Sequence, residues 1–232
     1  MADNDFRNIK AILFDLDGTL MDTDDQAVEK IAGIFSRMHV TNPVGRAKRL
    51  VMAAETPVNW LIMMMDVIRL DNLLLPLWHK LRKQRSESLA GKTSLKHFRI
   101  IPGVPEMLAS VKNTYRLGVV TTRGQDEAEL FINENGLQGV FEVVVTRSST
   151  RRLKPHPEPI LFAAQQLELP VSKCLMVGDT TQDIKSARRA GALSVGVLCG
   201  FGMRKELERT RATVVLKHTA LLSALLNQDA DK

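Results

Sequence analysis

The chain has 232 residues, of which 44% are hydrophobic and 25% are charged. These proportions are typical of globular proteins and exclude collagen-like, low-complexity and wholly disordered chains. The 32 basic and 26 acidic residues give a net charge of +6, which suits contact with anions but does not distinguish phosphorylated metabolites from nucleic acids or acidic lipids.

The chain contains two cysteines, Cys174 and Cys199, and lacks the paired spacing of a zinc site or a disulfide framework. Its first ten residues are polar and partly acidic, unlike a signal peptide, and no apolar run approaches about 18 residues. We therefore expect a cytoplasmic protein that does not act at a membrane.

The first predicted element is a buried strand from Ile9 to Phe14 that ends abruptly at Asp15. Asp17 follows two residues later, and Gly18 supplies the backbone freedom to turn both carboxylates toward one site. Such a pair suits metal binding or acid–base chemistry. A role in capping a turn would also explain Asp17 taken singly.

Residues 21–96, which follow this first strand, show helical periodicity and no convincing strand. Ala27, Ile31 and Ile34, for example, recur at the spacing of one helix face. The sequence predicts a core formed by residues 1–20 and 97–232, with an inserted helical domain at 21–96.

After the insert, apolar runs that end at polar residues or glycine alternate with segments of helical length. This alternation predicts an α/β fold with a Rossmann-like parallel sheet flanked by helices. Ligands of such sheets bind beyond the carboxyl ends of the strands. The predicted later strands are Arg116–Val120, Phe141–Val145, Lys173–Val177 and Leu193–Leu198, and the predicted helices are Val104–Tyr115, Gln125–Asn135, Pro157–Leu167 and Thr180–Ala190.

Two of the later segments offer groups that suit a phosphoryl oxygen. Thr121 ends the second strand with a hydroxyl and backbone donors, and Lys154 is a cation whose backbone is restricted by Pro155 and Pro157. Taken singly, Lys154 is also explained as a surface charge and Thr121 as a turn former.

A second carboxylate pair, Asp179 and Asp183, follows the strand that ends at Val177. A spacing of four residues is expected to place both on one helix face. Hard oxygen ligands without cysteine or histidine favour Mg²⁺ over zinc. The alternative for Asp179 is a helix N-cap.

The motifs DLDGT, VVTT, KPHP and GDTTQD occur in this order at predicted strand ends, and together they resemble the haloacid dehalogenase-like hydrolase superfamily. Most of the chain outside the insert resembles its phosphoglycolate phosphatase-like and β-phosphoglucomutase-like branch. The resemblance implies that the insert is a helical cap that closes over the substrate and selects it.

The resemblance also implies roles for individual residues. Asp15 is the expected nucleophile, which forms an aspartyl-phosphate, and Asp17 is the expected general acid and base. Asp15, the carbonyl of Asp17 and Asp179 are expected to hold Mg²⁺, with Asp183 in support. Thr121, the backbone amides after it at Thr122, and Lys154 are expected to bind the phosphoryl group. The direction of the neighbouring Arg123 side chain is left open.

The sequence thus predicts a Mg²⁺-dependent phosphatase of a small phosphorylated metabolite, such as phosphoglycolate or a sugar phosphate. A phosphomutase of the β-phosphoglucomutase type is the first alternative. A non-catalytic basic binding protein is the second, but the low aromatic content argues against nucleic acid as a partner. A monomer is favoured slightly over a dimer.

Overall fold

A computed structural model of the chain describes residues 6–22, 33–38, 41 and 98–230. In these parts of the chain, no helix is long and apolar enough to cross a membrane.

The core contains a six-stranded sheet in which every neighbouring pair of strands is parallel. The strand order is β3-β2-β1-β4-β5-β6. The predicted parallel α/β architecture is therefore confirmed. The strands are β1 (Ala11–Phe14), β2 (Arg116–Val120), β3 (Val143–Val145), β4 (Cys174–Gly178), β5 (Leu193–Val197) and β6 (Val214–Leu216).

Helices follow the strands in the expected alternation, although most are one to four residues shorter than predicted. The helices of the core are α1 (Val104–Val111), α2 (Gln125–Glu134), α3 (Glu158–Gln166), α4 (Thr181–Ala190), α5 (Arg204–Arg209) and α6 (Leu222–Ala230). Single 3₁₀ turns lie at Phe6–Asn8, Val171–Lys173 and Thr219–Leu221.

Alternating side chains of β1 fill both faces of the sheet. Ile12 and Phe14 belong to one buried apolar cluster, and Ala11 and Leu13 belong to the other. Because successive strand residues point to opposite faces, a fully apolar strand is what a sheet covered on both sides requires. The apolar run that predicted β1 is explained by this double burial.

The strand order reverses at β1, whose neighbours are β2 on one side and β4 on the other. Phe14 is in register with Val119 of β2 and Val177 of β4. The chain segments that leave these three strands therefore start level with one another. A reversal of this kind opens a crevice beyond the carboxyl ends of the strands, where α/β proteins bind ligands.

The chain divides into two compact units, residues 1–24 with 98–232, and residues 25–97. In the second unit, the structure describes a short helix at residues 33–37. The rest of the predicted cap, including Ala27 and Ile31, lies outside the described residues, so the helical cap stays a prediction.

Candidate active site

A buried ion-pair network lies at the carboxyl end of β1. The Lys154 ammonium donates hydrogen bonds to Asp15 Oδ1 at 2.8 Å, to Asp183 Oδ1 at 2.6 Å and to the carbonyl oxygen of Val120 at 2.8 Å. The three donors of this ammonium thus join the ends of β1 and β2 to α4. Lys154 is therefore a buried cation that pairs with two carboxylates, rather than a surface charge.

Three carboxylates converge next to this lysine. Oxygens of Asp15, Asp179 and Asp183 lie within 4.8 Å of one another, and all three side chains are buried. Burial and the neighbouring charges of Asp183 and Asp17 raise the pKa of Asp15 to about 7, although Lys154 opposes this rise. Burial and the charges of Asp183 and Asp15 raise the pKa of Asp179 as well.

The charge and donor set of this cluster fit a divalent cation. Three carboxylates and one ammonium leave a net charge of −2 when all are ionised. Asp179 Oδ1 is buried and has no hydrogen-bond partner among the described residues, so its lone pairs are available to a metal ion. Carboxylate oxygens are the ligands that Mg²⁺ prefers. These residues can therefore hold Mg²⁺.

The remaining oxygen of Asp179 is fixed by a loop that sequence reasoning missed. The Phe201 backbone N–H donates to Asp179 Oδ2 at 2.6 Å. A Cβ added at Gly200 would overlap Asp179 Oδ2 and lie 2.7 Å from the Cα of Gly18. Since only glycine permits this approach, the adjacent GFG triplet in the sequence was a usable signal.

Asp183 has a double role at the start of α4. Thr180 is the N-cap residue, and Asp183 Oδ2 accepts hydrogen bonds from the Thr180 N–H and hydroxyl, while Oδ1 accepts from Lys154. One prediction and one alternative are wrong here. Asp179 is not the N-cap, and it does not share a helix face with Asp183, because the helix begins only at Thr181.

Thr121 and Thr122 occupy different environments after β2. Thr121 is buried, its N–H donates to the carbonyl of Val145, and its Oγ1 accepts a hydrogen bond from the Arg123 N–H at 3.1 Å. Thr122 is exposed. Both belong to the segment that leaves the sheet beside β1, so this segment can present the Thr122 amide to an anion at Asp15. Their predicted phosphate contacts stay predictions.

Arg123 points to Asp17. Its Nε and Nη2 donate to Asp17 Oδ2 and Oδ1, each at 2.7 Å, and its Nη1 donates to Glu127 at 3.3 Å. The Asp17 side chain is therefore held by a guanidinium rather than by a turn amide. The sequence left the direction of Arg123 open because the two partners are 106 residues apart.

The chain matches the profile of the haloacid dehalogenase-like hydrolase family over residues 12–197. It is 27% identical over 231 residues to a pyrophosphatase PpaX from Bacillus pumilus, covering 95% of this chain and 98% of that protein. It is 30% identical over 202 residues to an N-acetylmuramic acid 6-phosphate phosphatase from Pseudomonas aeruginosa, covering 83% of each.

A solved structure of a predicted phosphoglycolate phosphatase from Haemophilus somnus superposes with a TM-score of 0.64. It is 20% identical in sequence and covers 94% of this chain and 99% of its own. At this identity, the likeness concerns the fold alone.

Proposed function

The chain belongs to the haloacid dehalogenase-like hydrolase family and is a phosphatase of that family, and from this premise we propose that it is a cytoplasmic, Mg²⁺-dependent enzyme that hydrolyses a small phosphorylated metabolite through an aspartyl-phosphate on Asp15. The single observation that carries the proposal is the buried constellation at the end of β1. There, Lys154 holds Asp15 Oδ1 at 2.8 Å, beside the acidic cluster formed with Asp179 and Asp183.

The proposed nucleophile is held in place through one of its two carboxylate oxygens. Lys154 fixes Asp15 Oδ1 and leaves Oδ2 available for attack on phosphorus. An adjacent cation also lowers the repulsion between an anionic nucleophile and an anionic phosphate. Thr121 lies at the end of the next strand, where its segment can bind the phosphoryl oxygens together with the backbone at Thr122.

Asp17 is the proposed acid and base. Asp15 Oδ2 attacks phosphorus, the bond from phosphorus to the leaving oxygen breaks, and Asp17 gives its proton to that oxygen. A water molecule then attacks the phosphorus of the aspartyl-phosphate. The bond from Asp15 to phosphorus breaks, and the water proton passes to Asp17, which restores both side chains.

The residues proposed to hold Mg²⁺ are Asp15, Asp179 and the carbonyl of Asp17, with Asp183 in support through Lys154 and the start of α4. When bound, the ion supplies positive charge that offsets the crowded carboxylates and the phosphate oxygens. The unpartnered Asp179 Oδ1 supports this assignment.

The relatives support the substrate class. One is named for pyrophosphate and another for a sugar 6-phosphate, so both names specify small phosphorylated compounds. The predicted cap at residues 21–96 is the proposed selector of the substrate, and the two free cysteines suit a reducing cytoplasm.

The test is phosphate release from phosphoglycolate, pyrophosphate, N-acetylmuramic acid 6-phosphate and hexose phosphates, with and without Mg²⁺. We expect release that needs Mg²⁺ and is lost in Asp15→Asn. Release by folded Asp15→Asn at the wild-type rate would contradict the assignment of the nucleophile. Conversion of a hexose 1-phosphate to its 6-phosphate without phosphate release would instead establish the mutase alternative.

A further inference from the structure

The carboxylate of Asp17 is held at both oxygens by a single guanidinium. The two hydrogen bonds from Arg123 are each 2.7 Å long, and the side chains of Arg123 and Asp17 are only 20% and 25% exposed. Paired charge-assisted bonds of this kind fix both the position and the plane of a carboxylate. A lysine in the same place would supply a point charge without the fork.

Arg123 is itself held from several sides. Its backbone N–H donates to Thr121 Oγ1, and its Nη1 donates to Glu127, whose other oxygen accepts the N–H of Gly124. Its Cζ lies 5.2 Å from the ring centroid of Phe98, within the range of a cation–π contact. The guanidinium is therefore ordered before any substrate arrives, unlike a flexible surface ion pair.

The position of this pair matters because Asp17 lies at the start of a turn whose backbone hydrogen bonds do not fix its side chain. Gly18, the next residue, has a φ of +68° and lies against Asp179. Lys154 already donates to Asp15, Asp183 and a carbonyl, so it has no donor left for Asp17. Among the described residues, Arg123 is thus the cation that pairs with the carboxylate of Asp17, while Lys154 pairs with Asp15 and Asp183.

We propose that Arg123 is a positioning residue for the acid–base step: its guanidinium fork orients the Asp17 carboxyl toward the leaving oxygen and keeps it out of the acidic cluster. Arg123 transfers no proton and forms no bond to the substrate in this proposal. The inference rests on the proposed function, because it requires Asp17 to protonate the leaving group.

Two aryl phosphates that differ by one nitro group separate positioning from phosphate binding. Phenyl phosphate has a poor leaving group that needs a proton from the enzyme, whereas p-nitrophenyl phosphate has a good leaving group that needs little help. The constant kcat/KM reports the steps up to release of the leaving group. A residue that aims the acid therefore affects phenyl phosphate most, and a residue that binds phosphate affects both substrates equally.

For Arg123→Gln, we expect kcat/KM to fall at least about 10-fold more with phenyl phosphate than with p-nitrophenyl phosphate, which is a part of the 10²- to 10⁴-fold contribution of a general acid. The loss should lie in kcat rather than in KM. Arg123→Lys should recover less than half of this selectivity. Arg204→Gln removes the same charge from an exposed pair with Glu208 on α5, and it should leave both substrates unaffected.

The double variant Asp17→Asn/Arg123→Gln completes the test. If Arg123 acts through Asp17, the double variant is no slower than Asp17→Asn alone. Additive losses, equal losses on both substrates, or full recovery in folded Arg123→Lys would overturn the proposal. If Asp17→Asn itself shows no leaving-group selectivity, the proposed acid role of Asp17 is wrong, which is a different failure from that of Arg123.

Discussion

Replacing the proposed nucleophile with asparagine is expected to stabilise the metal-free protein while removing its activity. Asp15 is buried, and its carboxylate lies close to Asp183 and Asp17. Asparagine keeps the shape of the side chain and an oxygen that accepts from Lys154, but it removes the negative charge. The variant therefore relieves the electrostatic cost of the site.

The magnitude follows from the pKa of Asp15, which is raised from its ordinary value of 3.8 to about 7. The difference of about 3 is worth about 4 kcal/mol at 1.36 kcal/mol for each pKa unit. Because the folded-state value is the higher one, the unfolded chain binds fewer protons between these two pKa values. The free energy of unfolding of metal-free wild type therefore falls as the pH rises from about 4 to about 7.

The assay is urea unfolding in the presence of EDTA at pH 5 and pH 8. The advantage of Asp15→Asn over wild type should grow from about 1–2 kcal/mol at pH 5 to about 4 kcal/mol at pH 8. Mg²⁺ should then stabilise wild type but not the variant, which has lost a proposed ligand. Glu106→Gln, at an exposed carboxylate of α1, should change stability by no more than about 0.5 kcal/mol at either pH.

The expected stabilisation is refuted if Asp15→Asn is less stable than wild type at pH 8 in EDTA, or if its advantage is the same at both pH values. Either result would mean that the carboxylate of Asp15 is not disfavoured by its surroundings.

Lys154→Met should lower the free energy of unfolding, measured in urea, by about 3–5 kcal/mol, because it leaves buried carboxylates without their cation. It should also abolish phosphate release. Unchanged stability would contradict the buried ion-pair network. Gly200→Ala should weaken Mg²⁺ binding at least about 10-fold in calorimetry, because the added methyl displaces the Asp179 carboxylate. A loss of this size is typical when a residue that orients a metal ligand is changed. The matched variant Gly33→Ala meets no atom within 4 Å and should bind Mg²⁺ as wild type does. Equal binding by both glycine variants would count against the assignment of Asp179.

The acidic cluster was predictable because parallel strands bring their carboxyl ends to one edge of the sheet. Asp15 follows β1 and Asp179 follows β4, and the apolar runs before them mark strands buried on both faces. Lys154 follows no strand directly. Its predicted place in the site rested on a cation restricted by Pro155 and Pro157 and on the resemblance of the KPHP motif to the superfamily.

Other parts of the site depended on tertiary contacts that no local pattern encodes. The direction of Arg123 is set by Asp17 on a distant segment, and the close approach of Gly200 is set by the packing of its loop on Asp179. The wrong prediction that Asp179 and Asp183 share a helix face has a local cause. The Thr180 hydroxyl and N–H donate hydrogen bonds to the Asp183 carboxylate, which makes Thr180 the N-cap and leaves Asp179 outside the helix.

Short elements near the C-terminus were also missed. Strand β6 has three residues, all half-buried at the edge of the sheet, and α5 has six. Such segments carry too few residues to display a periodicity. Their strand and helix state follows from pairing with β5 and packing against the sheet.

The most direct test of the central claim is acid quenching of Asp17→Asn during turnover of p-nitrophenyl phosphate in Mg²⁺, followed by mass spectrometry of its peptides. The good leaving group should allow phosphorus transfer without the acid, and loss of the base should then slow hydrolysis. We predict that the phosphoryl group accumulates on the peptide that contains Asp15. Continued release of nitrophenol with no phosphoryl group on that peptide would contradict the account.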